Sequence, residues 1–290
     1  MTGPRIILLL GSKCNTTLGA FALYLARKGR PFLRAHGKSA LSYTIGSDGG
    51  VPVLSVRTGD RSLKSGEFTV FVQEPHGMVE VDRGGDGSFS SQEWFATIWS
   101  FCGVHSHVVN PPSVGAWGPA IVDKLLRERL AQDSLPREFV AGSTEDMLGL
   151  VGDLSEFSLF TENLGTGYRK HIGSGGELAR WGRRGADQYG FRTYVADSSD
   201  QLLQVFVGER VFTLRNDWKA DTESAEHLDL CDAIRDSLSP LRLGFFAVAF
   251  HRSRGTTRVG AVFRDVPAPW FEDQSDEIFA ALVDLLEGPL

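Results

Sequence analysis

The sequence is poor in cysteine. Cys14, Cys102 and Cys231 are the only three, odd in number and far apart, which excludes a disulfide framework and fits a reducing compartment. Long apolar runs are also missing. The best of them, Ile6 to Leu10, is too short for a signal-peptide core or a membrane span, so the expected location is cytoplasmic, with no membrane partner. Basic charge is in deficit, with 30 Lys and Arg against 36 Asp and Glu, a net charge of -6 and a pI near 5.7. Such a balance argues against nonspecific binding to nucleic acid. The loop GSKCNTT at residues 11–17 is neither a P-loop nor a GxGxxG fingerprint. His105 and His107 lack a third ligand nearby, so no metal site is expected.

What is present is an ordinary globular composition, 42% hydrophobic and 23% charged, over 290 residues, enough for about two domains. Arg5 to Leu10 is followed by a glycine turn and by Leu18, Phe21, Ala22, Leu25 and Ala26 at helical spacing up to Gly29. A buried strand, a turn and an amphipathic helix form the first unit of a parallel α/β domain. Val51 to Val56 and Phe68 to Val72 are further strands, with the polar stretch Thr58 to Gly66 as a connector. Gln92 to Phe101 carries aromatics on one helical face, and Pro119 to Gln132 is a second helix.

The clearest β pattern is Gly190 to Trp218. Phe191, Tyr194 and Val195 form one short run and Leu202 to Phe206 a second, and Gly208-Glu209 turns the chain into Val211 to Leu214. A helix follows over Glu226 to Ser237, with Leu228, Leu230, Cys231, Ile234 and Leu238 on its apolar side. Leu243 to Phe250 and Arg258 to Val266 read as antiparallel strands. Ser275 to Glu287 closes the chain as an amphipathic helix.

The hairpin resembles the "DxRVxVVGxxVF" hairpin of ATP-grasp ligases, and most of all that of the microviridin-type or graspetide peptide ligases, where it ends near an Asp-Trp pair, here Asp217-Trp218. Leu203 and Gln204 stand where that pattern has its Arg. VFVQEP at residues 70–75 is similar to the family's "VWYRRP", with Gln73 and Glu74 in place of the two arginines. HVVNPP at residues 107–112, Lys124 in the following helix and LPREFVAGS resemble the run "NxP…K…QL…GLxVPxTxVTxD". The C-terminal strands and helix resemble "GxIDxx…FLEINP…IxxxIAxxL".

The resemblance implies a mixed α/β (α+β) fold. Its parts are a pre-ATP-grasp-like α/β domain over 1–110, a central domain with a linker helix over 111–195, and a C-terminal ATP-grasp-like domain over 196–290. Family members bind ATP and Mg²⁺, and here the matching positions depart. Glu162 replaces the phosphate-binding lysine of "VVYKPL", Ala249 the aspartate of "IDL", and Arg264 and Val266 the glutamate and asparagine of "LEIN". A carboxylate beside a triphosphate repels it, and Arg264 puts a cation where metal ions belong. Lys124 keeps its place, and Arg192, Tyr194 and Val195 keep the hinge strand.

The implied function is a catalytically degenerate ATP-grasp-like protein with no cofactor. It recruits a precursor or leader peptide for a partner biosynthetic enzyme in ribosomal peptide natural-product synthesis. In the resembling ligases the leader docks near the hairpin, so Leu203, Val205, Glu209, Arg210, Arg215, Asp217 and Trp218 are the candidate peptide-binding residues. The alternative is an active ATP- and Mg-dependent peptide ligase with a rearranged metal site, using Asp265, Glu272, Lys124 and Arg169. A homodimer or a related subunit is expected by the same resemblance.

Overall fold

The computed structural model describes residues 5–35, 42–48, 51–58, 61–73, 99–112, 119–135, 138–141, 158–163, 169–172, 177, 191–196, 200–253 and 256–288. Residues 92–98 of the expected aromatic helix, Ser143-Thr144, the basic residues Arg180, Arg183 and Arg184, and most of the glycine-rich stretch 165–176 lie outside them.

The chain opens with β1 (Ile6–Gly11), α1 (Thr16–Arg27) and β2 (Phe32–Ala35). These are followed by β3 (Ser42–Asp48), β4 (Val51–Thr58), β5 (Arg61–Lys64), β6 (Phe68–Gln73) and β7 (Val108–Val109). The continuous apolar run of β1 makes it a central strand covered on both faces, since both sets of alternating side chains need burial. Ile7 and Leu9 face α1, and Leu8 and Leu10 face Val70, Val72 and Phe101 on the other side. The sheet is parallel, in the order β2-β1-β6-β7. Asn15 starts α1 by accepting a hydrogen bond from the Leu18 N–H at 2.8 Å, and Gly29, with φ +63°, ends it.

β3, β4 and β5 form a separate antiparallel sheet. This corrects the sequence reading, in which residues 58–66 are a connector and 42–48 are unassigned. Among the described side chains of β5 only Leu63 is buried, so hydrophobic alternation gives the strand no signature.

α2 (Pro119–Arg129) leads to β8 (Glu138–Ala141), β9 (Ser158–Asn163), β10 (Arg169–Ile172) and β11 (Phe191–Ala196), an antiparallel sheet ordered β10-β9-β11-β8. Then come β12 (Leu202–Val207), β13 (Arg210–Asn216), α3 (Ala225–Leu238), β14 (Phe245–Ser253), β15 (Thr256–Phe263) and α4 (Ser275–Glu287). The last sheet is ordered β13-β12-β14-β15. One of its faces packs Leu202, Phe206, Phe246 and Phe250 on α3 and α2. The other packs Val205, Val207, Phe245 and Ala247 on α4, and α4 packs in turn on α1.

The N-terminal and C-terminal segments therefore share one core. Phe21 meets Phe279 at 5.1 Å and Phe71 meets Phe245 edge-on at 5.5 Å. On α3 the buried stripe is His227, Cys231, Ile234 and Leu238, at intervals of four, three and four. Leu228, expected on that side, is 50% exposed because it stands a third of a turn off the stripe. Among the described residues no helix is long and apolar enough to cross a membrane.

Candidate functional site

The β12–β13 hairpin closes on a two-residue turn in which Val207 pairs with Arg210 and Gly208 takes the left-handed φ of +56° that the first turn position needs. Its tip is clamped from both helices. Arg235 of α3 donates to the carbonyls of Gly208 and Glu209 at 3.1 and 3.0 Å and lies 3.3 Å from the Glu209 carboxylate. Arg210 pairs with Asp284 of α4 at 2.9 Å. At the far end Arg215 pairs with Asp217 at 2.6 Å, and Asp217 also accepts from the Gln201 N–H. The Arg215 hydrogen bond holds the Asp217 carboxyl below its ordinary range.

The seven candidate peptide-binding residues do not gather into one patch. Glu209 and Arg210 sit at the tip, while Arg215, Asp217 and Trp218 sit about 20 Å away, the length of β13. Val205 is fully buried against α4 and offers no surface, because helices cover both faces of this sheet. Leu203 is half-buried in the same cluster. What connects tip and base is β13, the edge of its sheet. Alternation from the Val207/Arg210 pair turns the backbone groups of Val211 and Thr213 outward. One of these, the Thr213 carbonyl, accepts from the Gln274 side-chain amide at 2.9 Å.

Beside the base of β13 is a pocket of 460 Å³ lined by Trp218, Lys219, Asp221, His227, Arg252 and Thr257 among others. Asn216 fixes its rim, exchanging hydrogen bonds with the N–H and C=O of Ala220 at 2.7 and 2.9 Å. Behind the wall, the Gln204 amide oxygen lies 3.0 Å from His227 Nε2 and 3.5 Å from Cys231 Sγ, and its amide nitrogen donates to Thr213 Oγ1 at 3.1 Å. Burial lowers the His227 pKa and pushes the Cys231 thiol up to about 11, so both are neutral at pH 7 and Cys231 is no nucleophile. Gln204 and His227 are absent from the sequence-based candidates. A polar residue inside an apolar strand, and a His four residues before a Cys on a helix, are the signals that point to them.

Of the expected nucleotide cleft, Lys124 lies exposed on α2, 3.8 Å from Glu128. Backbone register sets Glu162 between Arg169 of β10 and Arg192 of β11, with Tyr194 opposite Phe160 and Val195 opposite Leu159. Ala249 is buried on β14 opposite Leu203. Val266 is buried in the shared core, and its carbonyl accepts from the Thr17 hydroxyl. Thr16 accepts from the Ala268 N–H, so the loop at 11–17 anchors the 266–268 segment.

Arg264 donates through Nη2 to the Asn110 carbonyl at 2.8 Å, and its own carbonyl accepts from Gln73 at 3.4 Å. Its Nε and Nη1 are buried without a hydrogen-bond partner among the described residues. Burial lowers its pKa against the opposing pull of Asp265. A buried guanidinium with two unmatched donors, with alanine and valine at the other two matched positions, does not fit magnesium ions, which need oxygen ligands.

Asn110 ties this region together. It adopts φ +59° and is fully buried. Its Oδ1 accepts from the N–H groups of Gly244 and Phe245 at 3.1 Å each, its Nδ2 donates to the Phe245 carbonyl, and its N–H donates to the Arg242 carbonyl at 3.1 Å. Arg242 in return donates to the carbonyls of His105 and Ser106 at 3.0 and 2.9 Å. His105 stacks on Phe68 at 4.4 Å between ring centres and contacts the Phe68 carbonyl at 3.2 Å.

No protein-family model matches the sequence, and no curated protein matches it. Solved structures do. A RiPP-associated ATP-grasp ligase from Chryseobacterium gregarium, in complex with ADP and a leader and core peptide, superposes with a TM-score of 0.64 at 12% identity, over 98% of each chain. The macrocyclase MdnC of Microcystis aeruginosa, bound with precursor peptide MdnA, gives 0.69 at 12% identity over 97% of this chain and 98% of that one. A RimK domain ATP-grasp protein from Sphaerobacter thermophilus gives 0.56 at 13% identity over 98% and 100%. The likeness establishes the architecture: across nearly its whole length the chain has the ATP-grasp fold.

Proposed function

We propose that this ATP-grasp-fold chain is a catalytically degenerate peptide-binding protein of the cytoplasm, which holds the leader of a ribosomal precursor peptide and presents it to a partner enzyme. The observation that carries this reading is Arg264. At the position matched to a metal-binding glutamate there is a desolvated cation, and the neighbouring matched positions are the core residues Ala249 and Val266. Three substitutions at the matched positions remove the oxygen ligands that magnesium needs there, which supports a reading without phosphoryl transfer.

Peptide binding is supported by what remains around β13. An extended peptide can hydrogen-bond to an exposed sheet edge while pockets select its side chains. β13 offers such an edge, and the pocket at Trp218 lies beside its end. Trp is the residue type most often found as an interface anchor. Two of the solved ATP-grasp neighbours are complexes with a leader and core peptide or a precursor peptide, which supports the same assignment.

The test is calorimetric titration of a candidate precursor peptide into the full chain in EDTA. Saturable binding of the leader segment without nucleotide is expected. Binding that requires Mg-ATP would replace this reading with that of an active ligase.

A further inference from the structure

We propose that Arg264 is the receptor for an oxyanion, a carboxylate or a phosphate group, taken up directly and without a metal ion. The proposal rests on the degenerate reading above and adds a ligand class to it.

The position is the first argument. The parallel sheet runs β2-β1-β6-β7, so the chain leaves β1 toward β2 and returns on the other side of β1 at β6. In open α/β sheets ligands lie outside the carboxyl ends of the strands at such a reversal. Here those ends are Gly11 and Gln73, paired in register, with Asn110 just past the end of β7. The backbones are close enough that a Cβ on Gly11 would lie 2.0 Å from the Gln73 carbonyl oxygen. Arg264 reaches this edge from the C-terminal sheet through its bonds with Gln73 and Asn110.

The second argument is the set of unmatched polar atoms. Nε and Nη1 of Arg264 have no acceptor, and the adjacent Gln73 Oε1 has no donor, among the described residues. Cys102 lies within electrostatic reach, but burial pushes its thiol up to about 12, so it brings no negative charge. Asp265 supplies a neighbouring carboxylate whose field does not outweigh the burial of the guanidinium. Arg264 as a whole is partly exposed, while its Nε and Nη1 are themselves buried. An oxyanion accepting from the free guanidinium nitrogens makes the charge-assisted hydrogen bonds that a planar, weakly hydrated cation forms best. A hydrogen phosphate, which stays anionic while keeping an O–H, would also donate to Gln73 Oε1.

The test is thermal unfolding of the full chain in EDTA, with inorganic phosphate in one arm and glutarate in the other, for the native protein, Arg264→Met and Arg264→Lys. A concentration-dependent rise in Tm with phosphate, glutarate or both is expected, and the arm that responds identifies the source. Arg264→Met should lose the rise; because it also leaves the Asn110 carbonyl without its donor, the readout is the anion-dependent shift and not the Tm without anion. Should that variant not fold, Arg264→Lys serves in its place, with affinity reduced about tenfold or more for want of the planar fork. No rise in either arm overturns the proposal. So does a rise that survives both substitutions, or one that needs Mg²⁺. Mg²⁺-dependent binding of ATP would overturn the degenerate reading itself, and that outcome is separate from an anion response in EDTA.

Discussion

Replacing Asn110 by alanine tests the junction on which the shared core and the Arg264 edge depend. The side chain satisfies three buried backbone groups, the N–H of Gly244, the N–H of Phe245 and the C=O of Phe245. Each unsatisfied buried group costs about 1–3 kcal/mol, and partial hydration of the vacated space lowers the sum to about 3–5 kcal/mol. Asn110 also sits at φ +59°, where alanine costs about 1 kcal/mol more. Against a total stability of about 5–15 kcal/mol this is a large fraction. Urea unfolding of Asn110→Ala and Asn110→Gly separates the two effects. Both lose the hydrogen bonds, but glycine escapes the left-handed penalty. Asn110→Gly should therefore be the more stable by about 1 kcal/mol, less the entropy it adds to the unfolded chain. The reasoning is refuted if Asn110→Ala loses less than about 1 kcal/mol with an unchanged m-value, or if alanine is the milder substitution.

Trp218→Ala should weaken leader-peptide binding by roughly thirtyfold, or about 2 kcal/mol, while circular dichroism shows a folded chain. Arg215→Glu breaks an exposed pair, so it should change stability by under about 1 kcal/mol yet also weaken the peptide. Gln274→Ala frees the Thr213 carbonyl on the β13 edge, and peptide affinity measured by calorimetry should rise. A fall in affinity would contradict strand addition there. Burial lowers the His105 pKa from 6.5 to about 4. Because the unfolded chain takes up the proton first, this residue costs no stability above pH ~6.5 and progressively more down to pH ~4, about 3 kcal/mol at the acid end. Urea unfolding at pH 7 and 4.5 should show a smaller acid loss in His105→Phe than in the native chain, and equal losses would refute the assignment.

Periodicity makes the strongly buried elements legible in the sequence. The run Ile7 to Leu10 and the stripe Ile278, Phe279, Leu282, Val283 and Leu286 bury the residues their spacing selects, and the hairpin turns at Gly208 as the sequence pattern expects. β5 is not legible, because one buried leucine makes no pattern. The phase of α3 is misleading because Leu228 outweighs His227 in hydrophobicity, although His227 is buried against Gln204 on the sheet face that α3 covers. Val205 looks like a surface residue for a related reason: alternation pairs it with Leu203 but cannot show that α4 covers that face. HVVNPP is recognisable as a block. The role of Asn110 is not, since its side-chain partners lie 134 and 135 residues further along. The replacement at Arg264 can be read directly, whereas its unmatched nitrogens depend on Gln73 and Asn110 arriving from the other end of the chain.

The most direct test of the central claim is a calorimetric titration of Mg-ATP into the full chain, alone and with saturating precursor peptide, followed by an assay for ADP. With Ala249, Arg264 and Val266 in place of oxygen ligands, no saturable heat and no ADP above background are expected, while the peptide binds equally well with and without nucleotide. A micromolar dissociation constant for Mg-ATP together with peptide-dependent ADP release would contradict the account.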